Sequence, residues 1–297
     1  MKSAELGRAM ASDLNPLSVR RESLGRAMHN NGSPHIMGII NATEDSFFAG
    51  SRAEASSAVE KGLMMWQNGA TWVDVGGEST RPGAEPVSIK DELARVIPVI
   101  RALREANPIG LISVDTRQAE VAKEALEAGA DMVNDVSGLR DPAMHQLILE
   151  RGCAVCIMHM QGEPGTMQER PEYEDCVEEI AAELEKKRRA LQNQGHPSDL
   201  ITIDPGIGFG KTHEHNMALL MAGKDLTGER STSILWGVSR KSIVGHLTGH
   251  QHPEDRLAGT LAIAAVAHRM GIDIVRVHDV LEHRDLFETL NAFSRKA

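Results

Sequence analysis

Aromatic residues are scarce in this chain of 297 residues. They make up 3% of the sequence, as five Phe, three Trp and one Tyr. A protein that binds nucleic acid by stacking bases on aromatic side chains needs more of them. The hydrophobic residues, 41% of the chain, are mostly aliphatic, so we predict an aliphatic core and no nucleic-acid partner.

Cysteine and long apolar runs are lacking as well. An odd count of three cysteines leaves one outside any disulfide, which favours a reducing, cytoplasmic setting. Cys153 and Cys156 lie in an apolar run, where residues three apart on a strand face opposite ways. Two core thiols are therefore favoured over a redox or zinc pair. No apolar run approaches the roughly 20 residues that span a bilayer, so no membrane partner is expected.

Positive charge is in deficit, because 32 Lys and Arg stand against 42 Asp and Glu, for a net charge of −10. A chain with this balance repels nucleic acid and anionic membrane over most of its surface. An anionic small-molecule substrate would therefore require a local cluster of Arg and Lys side chains.

Residues 1–33 lack the apolar segment of a signal peptide. The pentapeptide Leu-Gly-Arg-Ala-Met occurs at 6–10 and again at 24–28. This separation is about five helical turns, so both copies would share one helix face, although Pro16 between them is expected to break the helix. We predict a helical or disordered extension over residues 1–33, with a docking arm or weak transit sequence as the alternative, followed by one domain over residues 34–297.

From residue 35 onward, short apolar runs alternate with longer amphipathic segments. The runs predicted as strands are 36–40, 72–75, 111–114, 132–133, 154–158, 200–203, 234–237 and 274–277. The clearest helical patterns are 54–67, 89–105, 118–128 and 175–193. Such alternation predicts a parallel sheet covered on both faces. Eight units over about 260 residues favour a single-domain (β/α)8 TIM barrel over an open doubly wound sheet.

A polar residue follows each apolar run. These residues are Asn41, the stretch 74–78, Asp115, Asn134, His159, Asp204, Ser239 and His278. In an α/β barrel the C-terminal ends of the strands meet at one mouth, where the active site lies. One such residue is commonly a helix cap, but caps alone do not account for eight. The sequence therefore predicts a polar active site.

Three of the following loops carry donors suited to an anion, namely 76–83, 239–242 and 276–279. Arg276 and His278 are two residues apart on a strand, so both point to the same side and suit a phosphate. Each loop alone could instead be a surface turn, and His278 a core histidine. The His-rich tracts 213–215 and 246–252 resemble metal sites but lack matched partners in the sequence.

The glycine-rich loop 204–212 is not a Walker loop, because Pro205 stands where that motif requires its first glycine. Asp204 at its base suits a guanidine-like ligand edge, read through paired hydrogen bonds, and a helix cap is the alternative. Asp115 and Asp204 are either an acid–base pair or two readers of hydrogen-bond donors, and the sequence alone leaves both open.

Taken together, these motifs resemble the dihydropteroate synthase family. The matching segments, in the family's order, are 37–41, 74–83, 113–116, 134–135, 158–161, 204–211, 239–242 and 276–279. The resemblance covers roughly residues 35–290 and implies the same barrel. It implies a step of folate biosynthesis, in which the amine of p-aminobenzoate attacks the methylene of 6-hydroxymethyl-7,8-dihydropterin diphosphate and pyrophosphate leaves. It also implies a cytoplasmic homodimer and a target of sulfonamides.

The resemblance assigns roles to individual residues. The pterin-binding positions are Asp115, Asn134, Met158, Asp204, Lys241 and Arg276. The p-aminobenzoate side consists of Thr80, Arg81, Pro82, Phe209 and Ser242, with Lys241 beside them. The diphosphate positions are Asn41, Thr80, Arg276 and His278, assisted by Mg²⁺, with Asn41 near the metal. The catalytic set is Asn41, Arg81, Lys241, Arg276 and His278.

The first loop departs from the family pattern. The family usually reads Asn-Val-Thr-Pro-Asp-Ser-Phe-Ser-Asp-Gly, whereas residues 41–50 read Asn-Ala-Thr-Glu-Asp-Ser-Phe-Phe-Ala-Gly. Glu44 and Phe48 replace Pro and Ser, and Ala49 replaces an Asp that in the family can stabilise a cationic pterin methylene. This loss keeps open a catalytically weak pterin-binding paralogue. A pterin-binding methyltransferase domain is the other alternative, although Arg81 and the loop 239–242 argue against it.

Overall fold

Eight parallel strands close into a barrel in the computed structural model, which describes residues 15–42, 52–79, 86–163, 165–229 and 231–294. Each strand pairs with the next along the chain, and β8 pairs with β1. The strands are β1 (His35–Asn41), β2 (Trp72–Gly76), β3 (Leu111–Asp115), β4 (Met132–Asp135), β5 (Ala154–Met158), β6 (Ile201–Asp204), β7 (Ser233–Trp236) and β8 (Ile274–Val277). The predicted TIM barrel is confirmed.

Helices cover the outside of the barrel, and one precedes β1. They are α1 (Pro16–Met28), α2 (Arg52–Gln67), α3 (Ile89–Ala106), α4 (Ala119–Ala128), α5 (Pro142–Arg151), α6 (Cys176–Asn193), α7 (His213–Ala222), α8 (Ser242–Thr248), α9 (Leu257–Met270) and α10 (Val280–Ser294). Sequence signals set their ends. The Ser88 side chain caps α3 by accepting a hydrogen bond from Asp91 N at 3.1 Å, and Gly129 ends α4 at φ +114°.

Strand side chains alternate between the barrel interior and the layer beneath the helices, because a strand has a period of two. The outward ones, such as Val73, Val114 and Val155, are fully buried against the helices in one aliphatic core. Among the cysteines, Cys153 belongs to this outer core, whereas Cys156 faces the interior. Both are free and buried, and burial raises the pKa of both thiols, to about 12 for Cys153. The prediction of two core thiols is confirmed.

Helix α1 closes the N-terminal end of the barrel. Leu24, Ala27 and Met28, which share one helix face, pack on an interior layer formed by all strands but one. The layer consists of Met37, Trp72, Leu111, Met132, Ala154, Cys156, Leu235 and Ile274. Pro16 stands at the start of α1, where its missing N–H costs nothing. The first copy of the repeat, at 6–10, lies outside the described residues, and the domain boundary at residue 33 stays a prediction.

Arg20 ties α1 to the barrel through a buried ion pair. Its Nε donates to Asp131 Oδ1 at 2.8 Å, and its Nη1 donates to the carbonyl of Pro108 at 2.8 Å. The other carboxylate oxygen of Asp131 accepts from Arg104 Nη2 at 2.7 Å. Asp131 is thus shared by two guanidinium groups at the closed end of the barrel.

We expect Arg20→Ala to lower the free energy of unfolding by about 2 kcal/mol, because it leaves the buried Oδ1 of Asp131 without a donor, whereas the Pro108 carbonyl still accepts from Arg104 Nη1. The loss stays below that of an isolated pair because Arg104 keeps its bond to Asp131. Urea denaturation would measure it. Arg21→Ala, on the exposed side of the same helix, is the matched control and should change stability by less than about 0.5 kcal/mol. Equal effects of the two substitutions would contradict the docking of α1.

In the described part of the chain, no helix is both long and apolar enough to cross a bilayer.

Candidate active site

The mouth of the barrel collects the polar residues that end the strands. The six residues predicted to bind the pterin lie there, on six different strands or the loops that follow them. Asp115, Asn134, Met158 and Asp204 end β3 to β6 and are buried, while Lys241 and Arg276 are partly exposed. The register explains this placement, since Asp115 pairs with Asn134 and Met158 with Asp204.

Arg276 is held between two carboxylates. Its Nε donates to Asp74 Oδ2 at 2.6 Å, and its Nη2 donates to Asp115 Oδ2 at 2.6 Å. Asn134 Nδ2 also donates to Asp74 Oδ2, at 3.2 Å. The other oxygen of Asp74 is buried without a hydrogen-bond partner in the described residues. Asp74, which is completely buried, therefore links the guanidinium to the amide that the sequence assigns to the pterin.

Burial and pairing oppose each other at this cluster. Burial raises the pKa of Asp115 to about 7, although Arg276 acts in the opposite direction. For Arg276, burial disfavours the charged form, but Asp74 and Asp115 more than offset this and raise its pKa. The guanidinium is therefore permanently charged, whereas Asp115 can change protonation state near neutral pH.

A second group lies across the mouth, around the glycine-rich loop. Asp204 Oδ1 accepts a hydrogen bond from Gly206 N at 2.7 Å. Lys241 Nζ donates to the Ile207 carbonyl at 2.7 Å and lies 4.4 Å from the centre of the Phe209 ring. Asp204 thus makes a local turn contact and is not a helix cap, because Thr212 caps the helix that follows the loop.

Burial also shifts the pKa values of Asp204 and Lys241 in this second group. Burial raises the pKa of Asp204, and the ammonium of Lys241 is the strongest effect that lowers it. Burial lowers the pKa of Lys241 to about 8, and Asp204 is the strongest effect that raises it. Each group therefore keeps the other charged in a site where neither would readily be charged alone.

An apolar wall adjoins both groups. Met158 and Phe209 are buried in one cluster with Val136, Met160 and Met167. A flat heterocycle or a benzene ring would contact side chains of this kind, because apolar walls with a few fixed polar groups are typical of small-molecule sites. One residue predicted for the pterin and one predicted for p-aminobenzoate therefore belong to the same apolar cluster.

The basic pair in the loop 239–242 is split by the structure. Arg240, at φ +60°, turns to Asp279, to which its Nε donates at 3.0 Å. Of the two cations in this loop, Lys241 contacts the glycine-rich loop at the mouth, whereas Arg240 is paired with Asp279. Ser239 Oγ lies 3.0 Å from His278 Nδ1 and fixes that ring beside the end of β8.

The remaining predicted residues are placed less completely. Asn41 ends β1 and is exposed, and Ser242 is the exposed first residue of α8. Thr80, Arg81 and Pro82, and the altered positions of the first loop, lie outside the described residues. The chain is held on both sides of residues 80–85, because Glu78 accepts from Arg117 at 3.0 and 3.1 Å and from Val87 N at 3.2 Å.

Two residues of the site were not singled out by the sequence. Asp74 was visible only as part of a polar stretch after β2, and its role as a partner of Arg276 depends on the barrel closing. Lys211 was visible as the end of the glycine-rich loop, and in the structure it is buried beneath that loop. In the described residues, no three His, Cys, Asp or Glu side chains form a metal-binding group, and His213 stacks on His246 at 4.0 Å between ring centres.

Comparison with known proteins gives concordant matches. The model of a family described as "Pterin binding enzyme" matches residues 37–278. Dihydropteroate synthase of Escherichia coli (strain K12) is 41% identical over 260 residues, which are 87% of this chain and 91% of that protein.

Two solved structures resemble the barrel along most of its length. Xanthomonas albilineans dihydropteroate synthase with 4-aminobenzoic acid has a TM-score of 0.80 and 39% identity, covering 88% of this chain and 93% of that one. Burkholderia cenocepacia dihydropteroate synthase complexed with 7,8-dihydropteroate has a TM-score of 0.79 and 40% identity, covering 89% of this chain and 92% of that one. Fold and sequence similarity therefore extend over the same residues as the mouth cluster.

Proposed function

The chain belongs to the pterin-binding enzymes, and among them to the dihydropteroate synthases, and from this membership we propose how its own residues carry out the reaction. The amine nitrogen of p-aminobenzoate attacks the methylene carbon of 6-hydroxymethyl-7,8-dihydropterin diphosphate. The carbon–oxygen bond to the diphosphate breaks, pyrophosphate departs with its electron pair, and the amine loses a proton to give 7,8-dihydropteroate. The observation that carries the proposal is the pair of carboxylate–cation groups facing each other across one mouth.

The pterin is bound by Asp115, Asn134 and Asp204 in this proposal. An amino-pyrimidinone edge presents adjacent N–H donors, which a carboxylate reads with two hydrogen bonds. Asp204 keeps one oxygen free of the Gly206 contact for this purpose. Asn134 is oriented by Asp74, so its amide is already fixed before a ligand arrives. Met158 supplies the apolar wall.

The departing pyrophosphate is stabilised by Arg276 and His278. Their spacing of two supports a shared side, and Arg276 contacts Asp74 and Asp115 while His278, just beyond β8, lies beside Ser239. Arg276 keeps its charge at any physiological pH, so it can stabilise negative charge as the carbon–oxygen bond breaks. The arylamine is already nucleophilic and largely neutral at pH 7, so no side-chain nucleophile is required.

Mg²⁺ is proposed as the metal that accompanies the diphosphate, held by Asn41. The amide oxygen of Asn41 is a hard ligand at the open end of β1, and Mg²⁺ commonly binds through one or two protein oxygens together with substrate phosphates. When bound, the ion would neutralise charge on the diphosphate. The donor set fits Mg²⁺ better than zinc, since the described residues offer no cluster of His and Cys ligands.

We further propose that the protein works as a homodimer in the cytoplasm. Met221 and Leu247, on the neighbouring helices α7 and α8, are large apolar side chains that are 72% and 52% exposed, and a subunit contact would cover them. The three free cysteines suit a reducing compartment. Light scattering on the purified protein would measure its mass, and a monomer at micromolar concentration would contradict the dimer.

Turnover of the two substrates tests the function directly. We expect the purified protein, given 6-hydroxymethyl-7,8-dihydropterin diphosphate, p-aminobenzoate and Mg²⁺, to release pyrophosphate and 7,8-dihydropteroate in equal amounts. Pterin binding by calorimetry without turnover would instead favour the catalytically weak paralogue. In that case Ala49→Asp, which restores the family's carboxylate, should raise turnover. Methyl transfer from a folate would favour the methyltransferase alternative.

A further inference from the structure

Four consecutive carbonyl groups of the glycine-rich loop, from Ile207 to Gly210, each accept a hydrogen bond from a side chain. The donors are Lys241 Nζ to Ile207 at 2.7 Å, Gln168 Nε2 to Gly208 at 2.7 Å, Lys211 Nζ to Phe209 at 2.8 Å and Tyr173 Oη to Gly210 at 2.9 Å. The side chains therefore hold a loop whose glycines impose little conformation of their own.

Phe209 lies between two glycines with positive φ, Gly208 at +85° and Gly210 at +61°. Glycines on either side restrict the backbone little, so Phe209 is positioned by its own two backbone bonds: its N–H donates to the Gly206 carbonyl at 3.0 Å, and its carbonyl accepts from Lys211. Its donor, Lys211, is 3% exposed, whereas Gln168 is exposed. Among the three donors not already assigned to a substrate, Lys211 is the one best protected from competition with water.

Lys211 is also bound to the loop after β5. Its Nζ lies 3.0 Å from His159 Nδ1 and 3.4 Å from the carbonyl of His159. The two loops touch closely here, because a Cβ at Gly206 would lie 1.9 Å from that carbonyl oxygen. The hydrogen-bond partners of Lys211 in the described residues are therefore all neutral when His159 is neutral.

His159 is in turn oriented by a carboxylate. Its Nε2 lies 3.5 Å from Glu183 Oε2, and the other oxygen of Glu183 accepts from Lys187 at 2.6 Å. Burial lowers the pKa of His159, and its hydrogen bond is the main cause that lowers the pKa of Glu183 to about 2. A neutral ring that donates from Nε2 to Glu183 must accept at Nδ1, which is the atom facing the ammonium.

We propose that Lys211 is a positioning residue for p-aminobenzoate, which holds the Phe209 ring in place through the Phe209 carbonyl, with His159 and Glu183 orienting the ammonium. The inference rests on the proposed function, since Phe209 is assigned to that substrate there. Lys211 itself touches neither the pterin residues nor the reacting atoms in this proposal, so its loss should weaken one substrate selectively.

Lys211→Met removes the donor and keeps much of the apolar stem. We expect the KM for p-aminobenzoate to rise about tenfold, while the KM for the pterin diphosphate stays within about twofold. Lys186→Met, at an exposed position on α6, is the matched control and should leave both constants unchanged. Initial rates with each substrate varied in turn measure the effects.

A pH series gives a readout that a purely structural role would not move. Burial lowers the pKa of Lys211 to about 7. Cys176, Asp204 and Glu183 act in the opposite direction and raise this pKa, whereas the charge of Lys241 lowers it further. The wild-type ammonium is therefore present below pH 7 and lost above it. The ratio of the variant's KM for p-aminobenzoate to the wild-type KM should therefore fall between pH 6 and pH 9.

Glu183→Gln is a second, milder variant, for use if Lys211→Met does not fold. It alters the carboxylate that contacts His159, which in turn contacts Lys211. We expect a rise of two- to threefold in the KM for p-aminobenzoate alone. Equal changes for both substrates, or an unchanged KM for p-aminobenzoate, in whichever variant folds would overturn the role of Lys211. Absence of turnover in the unaltered protein would instead contradict the proposed function.

Discussion

Arg276→Met should reduce kcat/KM for dihydropteroate formation about a thousandfold, the largest effect expected of any substitution in the described mouth. Removing one charged donor from a developing oxyanion commonly costs a factor of 10² to 10³. Arg276 has a second role, because its Nε and Nη2 hold Asp74 and Asp115. Loss of the guanidinium therefore removes the diphosphate donor and releases a pterin-binding carboxylate in one step.

The same substitution should make stability dependent on pH. Burial already raises the pKa of Asp115 to about 7, and Arg276 is the strongest effect that lowers it. Without Arg276 that pKa rises further, so the folded state binds a proton more tightly than the unfolded state does. A carboxyl with a raised pKa costs stability as pH rises above its unfolded value. The Tm of Arg276→Met, compared with wild type, should therefore fall more at pH 8 than at pH 6.

Two controls separate these effects. Arg276→Lys keeps one positive charge but cannot reach both carboxylates in the forked geometry, so we expect it to recover stability more than activity. Arg269→Met removes an exposed arginine from α9 and should leave kcat/KM and Tm unchanged. If Arg276→Met retained more than about a tenth of wild-type kcat/KM, its proposed role in diphosphate departure would be wrong.

The strands could be predicted because strands that are buried on both faces consist of near-continuous runs of apolar residues. The run 154–158 coincides with β5, and 274–277 coincides with β8. The run 132–133 was too short, since β4 continues through Asn134 and Asp135. Both are polar residues that the barrel buries, one toward the mouth and the other against the backbone N–H groups of Ser137 and Leu139. Hydropathy cannot reveal a strand at such positions.

The partners within the site could not be predicted from spacing. Arg276 binds Asp74 and Asp115, which lie 202 and 161 residues away in the sequence, and only the closed barrel brings them together. The ion pair between Arg240 and Asp279, which draws Arg240 of the loop 239–242 away from a ligand, could not be predicted for the same reason. Spacing shows which side chains share a face, but competition between neighbouring elements decides which of them stay free for a ligand.

Helix α1, at the other end of the barrel, also has contacts that the sequence pattern did not predict. Leu24, Ala27 and Met28 follow helical spacing, so an apolar face was visible in the sequence. Nothing in that pattern indicated that the face covers the barrel interior. The long-range contacts that fix it, from Trp72 Nε1 to the Ala27 carbonyl at 3.0 Å and from Arg20 to Asp131, appear only in the structure.

Lys241→Met should reduce kcat/KM about a hundredfold with respect to each substrate, because Lys241 belongs to both halves of the mouth. Its ammonium lies over the Phe209 ring on the p-aminobenzoate side and is the strongest effect that lowers the pKa of Asp204 on the pterin side. Removing it takes a cation from the benzoate and leaves Asp204 more readily protonated, which costs the carboxylate an acceptor. Lys211→Met differs in principle, since it should affect one substrate alone.

The pH dependence of Lys241→Met tests whether loss of the charged ammonium causes the deficit. Burial lowers the pKa of Lys241 to about 8, so the wild-type ammonium is present below that value and lost above it. The deficit of the variant should therefore be largest below pH 8 and shrink above it. Lys123→Met, at an exposed position on α4, should follow the wild-type profile throughout. A deficit confined to one substrate would contradict the shared position, because the ion that faces Asp204 is the same one that covers Phe209.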